Sequence, residues 1–126
     1  MQNAKTVIRT LTTTVIDNVA ELVPASKSIV VNSADINVGE YGYGIILIKA
    51  GTETGVGTID VKYQVKDSNG NYYDHTSATQ VTAAGSSIKT IANLDGETGR
   101  IVVTIGGGSE GDGFAGVTVE FVCKSR

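Results

Sequence analysis

The sequence predicts an all-β protein: an antiparallel β-sandwich, jelly-roll-like, with an extended N-terminal arm. Three observations carry that expectation. In Thr58–Lys66, Ile59, Val61, Tyr63 and Val65 alternate strictly with Asp60, Lys62, Gln64 and Lys66, the period of a strand with one apolar face. Along the chain, eight or nine short apolar runs are separated by Gly-, Asn- and Ser-bearing turns, the spacing of a sandwich and not of an α/β fold. Glycine is high at 16 and proline low at 1, and Val, Ile and Thr are abundant, residues whose branched Cβ atoms suit strands.

At the N terminus, Lys5–Ile16 has apolar residues at tolerable helical spacing (Val7, Ile8, Leu11, Val15, Ile16), but Thr10, Thr12, Thr13 and Thr14 fill its middle. Threonines are weak helix formers, so this stretch reads as an extended strand or arm. Asn18–Val23 is expected to make one short helical turn ended by Pro24. Residues 1–27 are thus an arm, part of the domain or docked on it, and residues 28–126 the sandwich.

Ser28–Asn32 reads as a short strand and Ser33–Gly44 as a polar connection holding Tyr41 and Tyr43. Gly44–Ala50 is apolar on both faces, with Ile45 and Leu47 against Ile46 and Ile48; such a strand is covered on both sides, by the core on one and by a partner or a loop on the other. Gly51–Gly57 is a flexible loop. The strand Thr58–Lys66 then turns at Asp67-Ser68-Asn69-Gly70, read as a type I′-like turn, into Asn71-Tyr72-Tyr73-Asp74. Strands follow at Ser77–Thr82, Ser87–Ala92, Arg100–Ile105 and Phe114–Lys124. A polar loop spans Asn93–Gly99, and a glycine-acidic loop spans Gly106–Gly113.

Charge and composition exclude several classes. The net charge is -3 from 10 basic and 13 acidic residues, with no basic stripe, so no nucleic-acid partner is expected. The longest purely apolar run is Ile45–Ile48, far too short to span a bilayer as a helix, and no membrane role is expected. Lys5 and Arg9 precede no apolar run, so a cleaved signal peptide is not expected. One cysteine, Cys123, rules out an intramolecular disulfide and reads as a buried thiol of a protein made in a reducing cytoplasm.

Candidate chemistry dissolves on inspection. His75, the one histidine, neighbours Asp74, but adjacent strand residues face opposite ways; it reads as a solvent-facing side chain at a hairpin end. Asp67, Asn69 and Asn71 have the spacing of calcium-loop ligands, yet the sixth and twelfth positions are Tyr72 and Ala78, where such a loop needs Gly and an acid. Gly106–Gly113 lacks the lysine and helix of a phosphate loop. The tyrosines read mainly as core and edge packing, with Tyr63 inward and Tyr72 and Tyr73 on opposite faces. Catalytic residues, cofactor and metal are all expected to be absent, and the protein is expected not to be an enzyme.

From Tyr43 onward the order of phrases is distinctive: Asp60-Val61-Lys62, Gly70-Asn71-Tyr72-Tyr73-Asp74, Ala78-Thr79-Gln80-Val81-Thr82-Ala83-Ala84-Gly85 and Gly99-Arg100-Ile101-Val102-Val103-Thr104-Ile105-Gly106-Gly107. This resembles the β-sandwich decoration (cement) proteins of tailed-bacteriophage heads. The chain departs from that pattern in the long loop Gly106–Gly113, and in Tyr73, where an aromatic pair with Trp is common.

The resemblance implies a virion protein on the outer surface of the capsid, made in the host cytoplasm. It would stabilise the head by bridging neighbouring major capsid subunits, as a dimer or trimer. Val7, Ile8, Arg9, Leu11, Tyr41, Tyr43, Ile46 and Ile48 are the expected capsid or subunit contacts. The alternative is a carbohydrate- or receptor-binding sandwich of a phage fibre or tail.

Overall fold

A computed structural model describes residues 10–22, 28–107 and 109–125. These form strands and no helix: β1 Thr10–Leu22, β2 Ile29–Asn32, β3 Ile36–Asn37, β4 Tyr43–Ala50, β5 Glu53–Thr54, β6 Thr58–Lys66, β7 Tyr72–Ser77, β8 Gly85–Ile91, β9 Thr98–Gly106 and β10 Gly113–Lys124. Two antiparallel sheets pack together. The first has the order β1-β10-β4-β8, with β5 also on β10; the second runs β2-β9-β6-β7, with β3 also on β9.

Setting aside the two-residue strands β3 and β5, the pairs nest. β1 lies with β10, β2 with β9, β4 with β8, and β6 with β7. The chain is one long hairpin with the β6–β7 turn at its tip, rolled so that successive pairs fall alternately in the two sheets. That winding gives the two-sheet antiparallel sandwich the alternating runs lead one to expect.

The core forms because the inner faces carry what the alternation puts there. Val117, Val119, Phe121 and Cys123 of β10 and Ile46 and Ile48 of β4 are buried from one side. Ile59, Val61 and Tyr63 of β6 and Ile101, Val103 and Ile105 of β9 are buried from the other. With no tryptophan available, Tyr63 and Phe121 are the large central groups, stacked with centroids 5.5 Å apart. A buried hydroxyl needs an acceptor, and Tyr63 donates to the carbonyl of Leu94 at 3.0 Å. Leu94 is itself buried, so the polar 93–97 loop is anchored from within. Gly44 lies under the Phe121 ring, where a Cβ would come within 2.7 Å of ring carbon. The Cys123 thiol is buried as expected, and desolvation pushes its pKa up to about 11.

Several local expectations need correction. Of the two readings of the N-terminal segment, strand holds for residues 10–16, which pair with β10; Lys5–Arg9 lie outside the described residues. No helical turn begins at Asn18. β1 continues to Leu22, Asn18 sits at φ 49°, and its amide donates to Thr118 Oγ1 at 3.0 Å. Register shifts on both sides make it a bulge.

The β6–β7 connection is not type I′, which needs two consecutive residues with positive φ. Here Gly70 alone has it, at φ 90°, and Asp67 N–H donates to the carbonyl of Asn71 at 2.9 Å. This is a three-residue loop ending in a left-handed glycine. The strand read over Ser77–Thr82 reduces to the end of β7 and a single bridge between Val81 and Ile59. The loop Gly51–Gly57 is tied to the sheet through β5.

Candidate interaction surfaces

The outer face of the second sheet carries a connected polar network. Alternation along β6 points Lys62, Gln64 and Lys66 outward, and register sets Arg100 of β9 beside Gln64 and Tyr72 of β7 beside Lys66. The Lys66 ammonium lies 2.7 Å from Asp35, and the Tyr72 hydroxyl donates to the same carboxylate. The Arg100 guanidinium stacks 3.5 Å from the Tyr72 ring centroid. Its Nε donates to Gln64 Oε1 at 2.9 Å, Gln64 Nε2 donates to Asp74 at 2.7 Å, and Lys62 reaches Asp74 at 3.0 Å.

Hydrogen bonding by Lys66 first, and by Tyr72, holds Asp35 below the usual carboxylate range. Gln64 first and then Lys62 do the same for Asp74. These carboxylates are already engaged by internal donors, so the face is a brace across strands and offers no open pair of acids.

His75 departs from its expected solvent-facing role. It is half-buried, with Nε2 2.8 Å from Asp95, Nδ1 2.7 Å from Thr76 Oγ1, and its ring edge-on to Tyr63. It does not pair with Asp74, as the alternation requires; instead it ties β7 to the 93–97 loop. The Asp67 carboxylate accepts from the Asn69 and Asn71 amides, both at 2.9 Å, and from the Tyr73 hydroxyl at 2.8 Å. Asp67 therefore orders its own loop, and the Asn71 amide bond, ahead of the Tyr73 hydroxyl, lowers its pKa to about 2. In the glycine-acidic loop, Asp112 accepts from the Ser109 amide at 3.0 Å. Among the described residues, no three His, Cys, Asp or Glu side chains cluster as metal ligands would.

The outer face of the first sheet differs. Register lines up Ile88 of β8, Leu47 of β4 and Glu120 of β10, and beside them Thr90, Ile45 and Val122. Ile45, Leu47 and Val122 are half-exposed and Ile88 is 69% exposed. The result is an apolar stripe with Lys49 and Glu120 at its margin. A groove of about 440 Å³ runs along it, lined by Leu47, Lys49, Ile88, Thr118 and Glu120 among others.

The expected contact residues fall into three groups. Ile46 and Ile48 are 0% and 3% exposed; they are core, so the outward pair of β4 is Ile45 and Leu47, the reverse of the expected assignment. Leu11 and Tyr41 are half-buried and pack against the core, and Tyr43 is half-buried. Val7, Ile8 and Arg9 lie outside the described residues. Sequence reasoning missed Ile88, although a signal existed: Ile88 and Ile91 are three apart, so one strand cannot bury both on one face.

No family model matches the chain, and no curated protein does. Among solved structures, a chain of infectious bursal disease virus, Gx strain, aligns over 94% of this chain with a TM-score of 0.61 and 10% identity. The alignment covers 32% of that chain, so this protein spans about a third of its length. At that identity the likeness shows a shared β fold. YomS, a protein derived from the SPBc2 prophage, aligns over 98% of this chain and 100% of its own, with 14% identity and a TM-score of 0.44. A chain of Bacillus endospore appendages, described as disulfide-linked pili, aligns over 100% of this chain and 96% of its own, with 13% identity and a TM-score of 0.49. The last two are too distant to bear on the fold.

Proposed function

We propose that this protein is a non-enzymatic virion component that decorates the outer surface of a tailed-phage head and stabilises it by bridging neighbouring major capsid subunits. The observation that carries this reading is the split character of the surface. Lys62, Lys66, Asp35, Asp67 and Asp74 are taken up in braces and turns, whereas the first sheet turns an apolar stripe outward. Such a molecule is suited to adhesion. The resemblance in the hairpin and in the Gly99–Gly107 phrase supplies the capsid context, and a shared fold with a chain of a viral particle is compatible with it.

β1 is the outermost strand of its sheet and begins at Thr10. The reading assigns the capsid contact to the residues that precede β1 in the sequence, among them Val7, Ile8 and Arg9. A contact this short is weak singly and gains from avidity when two copies are linked. A sugar-binding reading needs several open aromatic faces on one surface, and it is not favoured: Arg100 covers one face of Tyr72, Tyr41 packs on the core, and the exposed Tyr73 has its hydroxyl committed to Asp67.

The test is co-sedimentation with undecorated heads assembled from the major capsid protein of the same genome. Full-length protein should sediment with the heads to saturation, and protein lacking residues 1–9 should bind more weakly while staying folded. Cutting back to residue 16 is the wrong deletion, because it removes half of β1 and the buried Ile16. Absence of co-sedimentation at saturating protein would sink the proposal.

A further inference from the structure

β8 reverses the sandwich pattern at its centre, although Ile91 at its end is buried in the core. Alternation sends Ser87 and Lys89 toward the inner side and Ile88 outward, where it is 69% exposed. β8 also ends its sheet: among the described residues it pairs with β4 alone, over its whole length and without a register shift. A regular edge strand with an exposed apolar residue at its centre is a template for another strand.

We infer that β8 pairs antiparallel with β8 of a second copy about a two-fold axis at Ile88, joining the two first sheets into one. The inference gives the self-association implied above a surface, and it does not depend on head binding.

The sequence of β8, Gly85-Ser86-Ser87-Ile88-Lys89-Thr90-Ile91, selects both partner and register. A two-fold contact must be self-complementary, and Ile88 is the middle of the seven residues. Centred there, Ile88 faces Ile88 of the copy, Ser86 faces Thr90, and Lys89 faces Ser87. All seven residues pair, and the two lysines never oppose each other. Shifting the centre by one residue toward the C terminus sets Lys89 against Lys89, and like charges directly opposite are destabilising. Shifting it toward the N terminus loses the Ile88 pair.

In the favoured register the outer stripe runs Leu47, Ile88, then Ile88 and Leu47 of the second copy. The same geometry explains the inward lysine. An inward charge on an edge strand blocks indiscriminate pairing while leaving this one register open.

Cross-linking reads the register directly. Residues facing each other across an antiparallel pair have Cα atoms about 4.5–5.5 Å apart, within disulfide reach, and the native Cys123 is buried. Under mild oxidation Ile88→Cys should form a covalent dimer, Ser86→Cys alone should not, and Ser86→Cys mixed with Thr90→Cys should. In sedimentation equilibrium the unaltered chain should associate reversibly to a dimer. Ile88→Lys should raise the dissociation constant by at least about tenfold, whereas Val30→Lys, on the second sheet, should leave it unchanged. A chain that stays monomeric, a trimer, or Ser86→Cys cross-linking as readily as Ile88→Cys would overturn the inference.

Discussion

Asp67 shows how one side chain in this protein does structural work that could pass for chemistry. Its carboxylate gathers two backbone amides and a tyrosine hydroxyl, all of which favour the charged form. The folded-state pKa of about 2 lies below the unfolded value of about 3.9. The stabilisation is therefore complete above about pH 4 and is lost as pH falls toward 2. Urea melts of Asp67→Asn should differ from the unaltered chain most above pH 4, with the gap closing toward pH 2. A gap that is constant with pH would mean that the carboxylate charge is not what holds the loop.

Other residues mark where sequence reasoning stops. That Asp74 and His75 do not pair follows from alternation alone. That His75 meets Asp95 does not, because the two are brought together by the Leu94 anchor under Tyr63. The network through Gln64 and Arg100 is equally silent in the sequence, since it depends on which strand lies beside β6.

At the scale of elements, β4 is the instructive case. A strand apolar on both faces states that both faces are covered without stating by what. Only the neighbours decide: β10 and β8 place Ile46 and Ile48 against the core and turn Ile45 and Leu47 out. The two faces should separate in stability measurements. Ile46→Ala should cost about 2–5 kcal/mol, and Leu47→Ala about 1 kcal/mol or less, by denaturant unfolding of the monomer at low protein concentration. Equal costs would contradict the face assignment.

β6 was legible because its strict period fixes which side is buried, and so was β10 from Val117 to Cys123; ahead of that, Gly116 at φ 68° breaks the period and Phe114 is buried as well. β1 was half legible. Its threonines argued for a strand, but the bulge at Asn18 interrupts the period and imitates a break. β8 was seen as a strand over Ser87–Ala92, and its outward isoleucine was missed because no face was assigned to Ile88.

At the scale of the whole molecule, the nested pairing puts β1 and β8 at opposite edges of one sheet. One edge leads to the N-terminal segment proposed to grip the capsid, and the other carries the proposed two-fold contact. A dimer so joined would set its two β1 strands at the opposite edges of one extended sheet, the arrangement that bridging needs. The sandwich class was legible from the number and spacing of the runs. Which strands become edges was not, because edges follow from the rolling of the whole hairpin, and the proposed binding surfaces are located there.

Electron cryomicroscopy of heads assembled with and without the protein tests the central claim most directly. Added density is expected on the outer surface, fitted by the two-sheet sandwich and touching at least two neighbouring major capsid subunits. Saturating protein that leaves the outer surface bare, or density confined to the interior or to tail fibres, would contradict it.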